Sequence, residues 1–110
     1  MNTNGELKQE VRLLLRYGRE NARTGKTLAL LLGHRDDRPV RLAIRGLIAE
    51  GLPVAALVKP PYGYYIASTP DEVKEYIQDL HSRLVGDAYR RRDFKLASRE
   101  ILQPHQMALI

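Results

Sequence analysis

Glycines placed at intervals divide the first part of the chain into short segments. Gly18, Gly33 and Gly51 each follow a segment whose apolar residues recur with helical spacing. Because glycine readily adopts the left-handed conformation that ends many helices, each of these glycines predicts a helix end. The segments between them have room for only a few helical turns, so we expect short helices joined by tight turns.

The first predicted helix runs up to Tyr17 and is closed by Gly18. Thr3 and Glu6 have the spacing of a capping box at its start. The residues that then share one face of the helix are Leu7, Val11, Leu14 and Leu15. The polar stretch that follows, residues 19–25, is expected to form a loop.

A second, short helix is predicted after Thr24, and a third after Gly33. The second helix should carry on one face Leu28, Leu31 and Leu32. Asp36 or Asp37 can cap the third helix, whose first turn contains Pro39. The apolar face of the third helix comprises Val40, Ala43, Ile44, Leu47 and Ile48. Two such helices joined by a turn of about four residues predict a helix-turn-helix unit.

Beyond Gly51 the pattern changes from helical to extended. The apolar run 54–58 is bracketed by Pro53 and Pro60, which favours a short strand. Residues 59–63 are turn-forming, and β-favouring residues follow them. Alternation places on one side of this second strand Tyr64 and Ile66, and on the other side Tyr65 and Ala67. The sequence therefore predicts a β-hairpin.

Several helix-start signals then occur close together and predict a long helix. These signals are Ser68 or Thr69, Pro70, Asp71 and Glu72. An apolar stripe follows, made of Val73, Ile77, Leu80, Leu84 and Ala88. Gly86 and the charged residues 90–93 predict a break in the helix near residues 86–93. The start of the stripe has heptad-like spacing, so it can cover the preceding domain or pair with a second copy. We expect a homodimer through Val73, Ile77, Leu80 and Leu84.

The net charge of +5 lies entirely in the first part of the chain. Residues 1–67 hold eleven basic and six acidic residues, whereas residues 68–110 hold seven of each. This division predicts a polyanion-binding domain over residues 1–67 and a helical dimerisation or partner-binding extension over residues 68–110. The alternative is that the excess charge only solvates the surface.

The order of helix, helix, turn, helix and hairpin resembles the winged helix-turn-helix superfamily, and so do the residues that carry it. Residues 24–32 resemble its second helix. The resemblance to its recognition helix and first wing strand is carried by Asp37, Arg38, Val40, Arg41, Ile44, Leu47, Gly51 and Val54. The resemblance to the returning strand is carried by Gly63, Tyr64 and Ile66. The pattern is similar to the N-terminal domain of the biotin-ligase repressor and to small bacteriophage regulators.

The resemblance covers residues 5–67 and leaves residues 68–110 outside it. It implies an α+β, mainly helical fold, with three helices and a hairpin wing, followed here by a long C-terminal helix. It also implies binding of double-stranded DNA by a transcriptional or phage-type regulator. The third helix would then lie in the major groove and the wing along the backbone or minor groove.

On the third helix Arg38, Arg41 and Arg45 fall within about 60° of one another, away from the apolar face. An outward basic ridge suits DNA, because arginine binds guanine through two hydrogen bonds and neutralises phosphate. Arg35 in the preceding turn can reach a phosphate. The alternative is a charged face that is merely solvated.

Two further segments are candidate DNA contacts. At the wing tip, Lys59 and Tyr62 offer a cation and a phenol, and Tyr65 is expected to be exposed with them. The alternative is that the tip residues only stiffen the turn. At the start of the second helix, the amides near Gly25 and the side chains of Lys26 and Thr27 can hold a phosphate.

Several other functions lack support in the sequence. Residues 20–27 nearly match a nucleotide-binding loop, but Glu20 stands where its first glycine belongs. The absence of cysteine excludes disulfides and thiolate chemistry, and the three histidines have no ligand spacing among themselves. We therefore expect no enzyme activity, cofactor or metal.

The expected location is the cytoplasm. No apolar run approaches the roughly 18 residues of a membrane-spanning helix, and the polar N-terminus does not have the plan of a signal peptide. The leading hypothesis is a cytoplasmic DNA-binding protein. The second hypothesis is a protein-interaction or assembly adaptor that uses the same scaffold.

Overall fold

A computed structural model of the chain describes residues 4–102, with side chains from Gly5 onward. The chain is an α+β protein, mostly helical, with a two-stranded antiparallel hairpin and one long helix, as the sequence predicts. The helices are α1 (Asn4–Leu14), α2 (Gly25–Leu31), α3 (Arg38–Ala49), α4 (Pro70–Ala97) and α5 (Arg99–Leu102). The strands are β1 (Val54–Leu57) and β2 (Gly63–Ile66), and a short 3₁₀ helix spans Arg19–Asn21.

The first helix is shorter than predicted, because α1 ends at Leu14 rather than at Tyr17. Gly18 does not close it. Its φ of 93° and ψ of 141° lie outside the left-handed helical region, and its N–H donates to the Ile66 carbonyl at 3.0 Å. The predicted capping residue Thr3 lies outside the described residues. The chain leaves the helix early because pairing with β2 satisfies its backbone groups instead.

The connection from α1 to α2 is more ordered than the predicted loop. Besides the 3₁₀ helix, Tyr17 forms a parallel bridge with Ile66, and Arg23 an antiparallel bridge with Tyr64. The Arg23 N–H donates to the Tyr64 carbonyl at 2.9 Å, and the Tyr64 N–H donates back at 2.7 Å. This connection therefore lies along the outer edge of β2.

The predicted start of α2 after Thr24 is confirmed, and the Thr24 hydroxyl caps the helix by accepting a hydrogen bond from the Thr27 N–H at 3.0 Å. The predicted apolar face is wrong at one position. Leu28 and Ala29 are buried, but Leu31 is 56% exposed. The buried face is centred between Leu28 and Ala29, so the helical turn directs Leu31 away from α3.

The third helix begins as predicted, with Asp36 and Asp37 before it and Pro39 in its first turn. Its buried residues are Val40, Ala43, Ile44 and Leu47. The predicted fifth member, Ile48, is instead 45% exposed because it lies at the margin of this face. Gly51 follows the helix with a φ of +107°, in agreement with its predicted role as a helix terminator.

The hairpin pairs Val54 with Ile66 and Leu57 with Gly63, and its two faces pack into different clusters. The larger cluster joins the helices to one face and comprises Val11, Leu15, Leu28, Ala29, Val40, Ala43, Ile44, Leu47, Val54 and Ile66. The smaller cluster lies on the other face and comprises Ala55, Leu57 and Tyr65, with Ala22, Ala67 and Tyr76 against it. The predicted alternation of Tyr64 and Tyr65 is confirmed.

The long helix α4 begins at the predicted signals, and the Thr69 hydroxyl accepts a hydrogen bond from the Glu72 N–H at 3.2 Å. The predicted break near residues 86–93 is wrong, because α4 continues to Ala97. Asp87 and Arg90 form an i,i+3 ion pair at 3.5 Å within that stretch. One glycine costs a helix about 1 kcal/mol, which the neighbouring helix-forming residues offset.

The chain divides into two compact units, Met1–Tyr76 and Ile77–Ile110, with the boundary inside α4. The functional division after residue 67 stays a prediction. Among the residues that the structure describes, none belongs to a helix with the length and apolar character needed to cross a bilayer.

Candidate nucleic-acid interface

The outer face of α3 carries the basic ridge predicted from the sequence. Arg38, Arg41 and Arg45 are all exposed, whereas the residues of the opposite face are buried against α1, α2 and the hairpin. Burial of several large apolar side chains, each worth about 1.5–3 kcal/mol, fixes the rotation of α3 about its axis. That rotation is what directs the three guanidinium groups to solvent.

Carboxylates at the start of α3 contact this ridge. Asp37 Oδ1 lies 3.3 Å from Arg41 Nε, in an i,i+4 ion pair. Asp36 Oδ1 accepts a hydrogen bond from the Arg38 N–H at 2.8 Å. Among the described side chains, Arg38 and Arg45 have no carboxylate partner. The positive charge of the ridge is therefore reduced locally at Arg41 and kept at the other two arginines.

A groove of about 390 Å³ runs beside the ridge within the first unit. Its lining residues are Arg38, Arg41, Leu42, Ile44, Arg45, Ile48, Tyr64 and Tyr76. Leu42 is 51% exposed, which places an apolar side chain between cationic ones. Such a surface offers charge for phosphates together with apolar contact for a thymine methyl group.

Tyr64 forms one wall of the groove and is half-buried. Desolvation raises the pKa of its phenol above the usual value, and the nearby positive charge of Arg41 partly opposes that rise. The phenol therefore stays neutral at physiological pH and can donate a hydrogen bond.

The position of Tyr64 depends on the glycine before it. Gly63 has a φ of +108°, and a Cβ atom there would lie 2.3 Å from the Arg23 carbonyl carbon. Only a residue without a side chain allows β2 to approach the α1–α2 connection this closely. The sequence pattern places Gly63 in the returning strand but does not indicate this requirement, because the close approach joins residues forty positions apart.

The tip of the hairpin presents both of its predicted contact residues to solvent. Lys59 is exposed, Tyr62 is 50% exposed, and the Tyr62 N–H donates to the Lys59 carbonyl at 2.8 Å. The expectation that Tyr65 is exposed beside them is wrong, since it is only 1% exposed. Strand alternation turns Tyr65 to the face that packs against Leu57.

Lys26 and Thr27 are exposed at the start of α2, but other groups at this helix end already have partners within the protein. The Thr27 N–H is capped by Thr24, and the Asp37 carboxylate lies against Gly25. A phosphate there would meet that carboxylate at close range. Arg35 is exposed in the turn between α2 and α3, near the basic ridge in sequence.

Two features of the site are absent from the sequence-based predictions. The Asp37–Arg41 pair could have been predicted, since an acid four residues before an arginine in a helix favours an ion pair. The position of Tyr76 could not, because Tyr76 reaches the groove only through the packing of α4 after the hairpin. Over residues 4–102 there is no group of three or more histidine, aspartate or glutamate side chains placed to hold a metal ion.

Comparison with known proteins gave no match to a family model, to a curated protein or to a solved structure.

Proposed function

We propose that this chain is a winged helix-turn-helix protein that binds double-stranded DNA with α3 in the major groove and regulates transcription or a phage-type process. The observation that carries the proposal is the basic ridge of Arg38, Arg41 and Arg45. These arginines are exposed on a helix whose opposite face is buried. A helix of this kind fits the major groove, where arginine binds guanine and phosphate.

The surrounding elements support the proposal. Helices α2 and α3 flank the turn at residues 32–37, and a hairpin follows α3 directly. The bridges of Tyr17 and Arg23 to β2 add a short edge segment to the hairpin. Lys59 and Tyr62 at the exposed tip would contact the DNA backbone or minor groove, and Arg35 would contact a flanking phosphate. A phosphate contact from Lys26 and Thr27 is disfavoured by the Asp37 carboxylate beside Gly25.

The test is binding of the purified chain to a fluorescent mixed-sequence duplex, measured by anisotropy at several salt concentrations. We expect affinity that falls steeply with salt, and a loss of at least about tenfold on R38A/R41A/R45A. Each lost phosphate contact should reduce the slope of log K against log salt by about 0.9. A matched control is R12A/R16A/R99A, which removes the same charge at exposed positions outside the groove.

Two results would overturn the proposal. One is no measurable duplex affinity at low salt, which would favour a protein-binding adaptor built on the same scaffold. The other is equal loss of affinity in both triple variants, which would show that general charge, rather than the ridge, carries the binding.

We propose further that the partner of α4 is a second copy of this chain. Apolar side chains at heptad-like spacing are exposed along it, at 39% for Val73, 60% for Ile77, 45% for Leu80 and 69% for Leu84. Charge is also divided along the helix: residues 70–79 hold four acids and one base, and residues 83–95 hold five bases and two acids. An antiparallel pair would place the acidic part of each helix opposite the basic part of the other.

Light scattering after size-exclusion chromatography tests this partner. The wild-type chain should elute as a dimer, and L80E/L84E as a monomer. The control L13E/L30E changes two leucines that are 82% and 66% exposed outside α4, and should remain dimeric. A monomeric wild-type chain at micromolar concentration would refute the dimer while leaving the DNA-binding proposal intact.

A further inference from the structure

Two adjacent aspartates at the start of α3 have different partners. Asp36 accepts the hydrogen bond from the Arg38 N–H and so satisfies one of the free N–H groups at the start of the helix. Asp37 occupies the N-cap position, yet its side chain makes no capping hydrogen bond. It pairs instead with the Nε edge of Arg41, at 3.3 Å. The carboxylate of Asp37 is thus committed to one arginine of the basic ridge.

The carboxylate of Asp37 is also confined on its other side. A Cβ atom on the buried residue Gly25 would lie 3.0 Å from Asp37 Oδ2 and 3.4 Å from a ring carbon of Tyr64. The start of α2, the Tyr64 ring and the Asp37 carboxylate are therefore closely packed. The Asp37 side chain is 39% exposed and that of Arg41 is 56% exposed, so the pair is confined at the acid and open at the guanidinium end.

A negative charge on a DNA-facing helix lowers general affinity, because it repels phosphates. The ion pair at 3.3 Å uses Nε of Arg41, and the planar guanidinium has a further edge formed by its two terminal nitrogens. That edge has the geometry for paired hydrogen bonds to O6 and N7 of guanine.

We infer that Asp37 is a positioning residue that holds Arg41 for a guanine in the major groove, which makes this arginine a specificity contact. The inference rests on the proposed function. Arg38 and Arg45, which lack a carboxylate partner among the described side chains, then act mainly on phosphates. Because the side chain is already restricted before binding, less conformational entropy is lost when the complex forms.

The experiment compares D37N with D36N. A preferred duplex is first selected from a random pool with the wild-type chain, and each variant is then measured on that duplex and on one with a single G·C pair replaced. Both variants remove one negative charge beside the ridge, so both should bind mixed duplex somewhat more tightly. D37N alone should lose discrimination at one G·C pair, by about two- to tenfold, the saving expected from one ordered side chain.

R41K provides the second variant, because lysine keeps the charge but cannot form the paired contact. It should lose discrimination at the same base pair, and adding D37N to R41K should cause no further loss. This non-additivity separates positioning of Arg41 from a general effect on folding.

Three results would overturn the inference while leaving DNA binding established. They are selection of no preferred sequence by the wild-type chain, equal discrimination in D37N and wild type, and equal loss in D36N and D37N. Absence of any salt-dependent duplex binding would instead refute the proposed function on which the inference rests.

Discussion

The Glu72 carboxylate accepts a hydrogen bond from the backbone N–H of Arg19 at 2.8 Å, across 53 positions of the sequence. Its other oxygen accepts bonds from the Ser68 N–H at 2.9 Å and the Ser68 hydroxyl at 3.2 Å. Glu72 is also buried, at 6% exposure. The first turn of α4 is therefore fastened both to its own cap and to the connection between α1 and α2.

This carboxylate predicts a pH-dependent contribution to stability. Hydrogen bonds from the Ser68 and Arg19 backbone N–H groups lower the pKa of Glu72 below its usual value near 4.5. A carboxyl whose pKa is lower in the folded state stabilises the fold above the unfolded pKa and loses that effect as pH falls through the folded pKa. We expect E72Q to have a lower urea midpoint at pH 7, with the difference from wild type shrinking below pH 4.5.

The matched control for that experiment is D71N. Asp71 lies in the same first turn but is exposed, so its replacement should remove only the interaction with the helix N-terminus, about 0.3–1 kcal/mol, and lower the midpoint less than E72Q does. A difference between E72Q and wild type that persisted unchanged to pH 3 would contradict the assigned role.

Gly63 should tolerate no side chain. G63A introduces a Cβ atom 2.3 Å from the Arg23 backbone at a φ of +108°, so steric overlap adds to backbone strain. We expect a loss in the free energy of unfolding of at least about 2 kcal/mol, measured by urea denaturation. G33A is the control: its φ is +78°, but no atom lies within 4 Å of the new Cβ, so it should cost only about 1 kcal/mol. Equal losses would show that the close approach to Arg23 contributes nothing.

Substitution of Tyr65 should affect stability, whereas substitution of Tyr62 should affect DNA binding. Tyr65 is 1% exposed, so Y65A should destabilise the first unit by about 3–5 kcal/mol through the cavity it leaves. Tyr62 is 50% exposed at the tip, so Y62A should change stability by less than about 0.5 kcal/mol. If the wing contacts DNA, Y62A should weaken duplex binding several-fold. Unchanged duplex affinity in Y62A would remove Tyr62 from the interface.

Gly86 predicts a stabilising substitution. It lies inside the continuous helix α4, and a Cβ atom there would meet nothing within 4 Å. Alanine is favoured over glycine in a helix interior by about 0.8–1.0 kcal/mol. G86A should therefore raise helical ellipticity and its thermal midpoint. A fall in ellipticity would indicate that position 86 is not within a regular helix.

Much of the local structure of this chain could be predicted from its sequence. The start of α2 after Thr24, the start of α4 at Pro70, the hairpin and the outward arginines of α3 all depend on residues a few positions apart. Caps, turns and helical faces are short-range properties, so side-chain chemistry and periodicity are sufficient to place them.

Several of the errors concern positions where distant segments meet, whereas the wrongly predicted break near residues 86–93 is a local error. Gly18 was predicted to end a helix but pairs with Ile66, and Tyr65 was predicted to be exposed but packs beneath the hairpin. Local patterns carry no information about which segment covers a given face.

For the interface, residue identity and helical periodicity are sufficient to show which residues are basic and that they share one face of α3. What surrounds them depends on packing: Asp37 lies against Gly25, Tyr64 and Tyr76 line the groove, and Gly63 lies against Arg23. The physical reason is that these contacts join residues far apart in the chain. Their geometry is set by the joint packing of three helices and a hairpin around a common core rather than by any one segment.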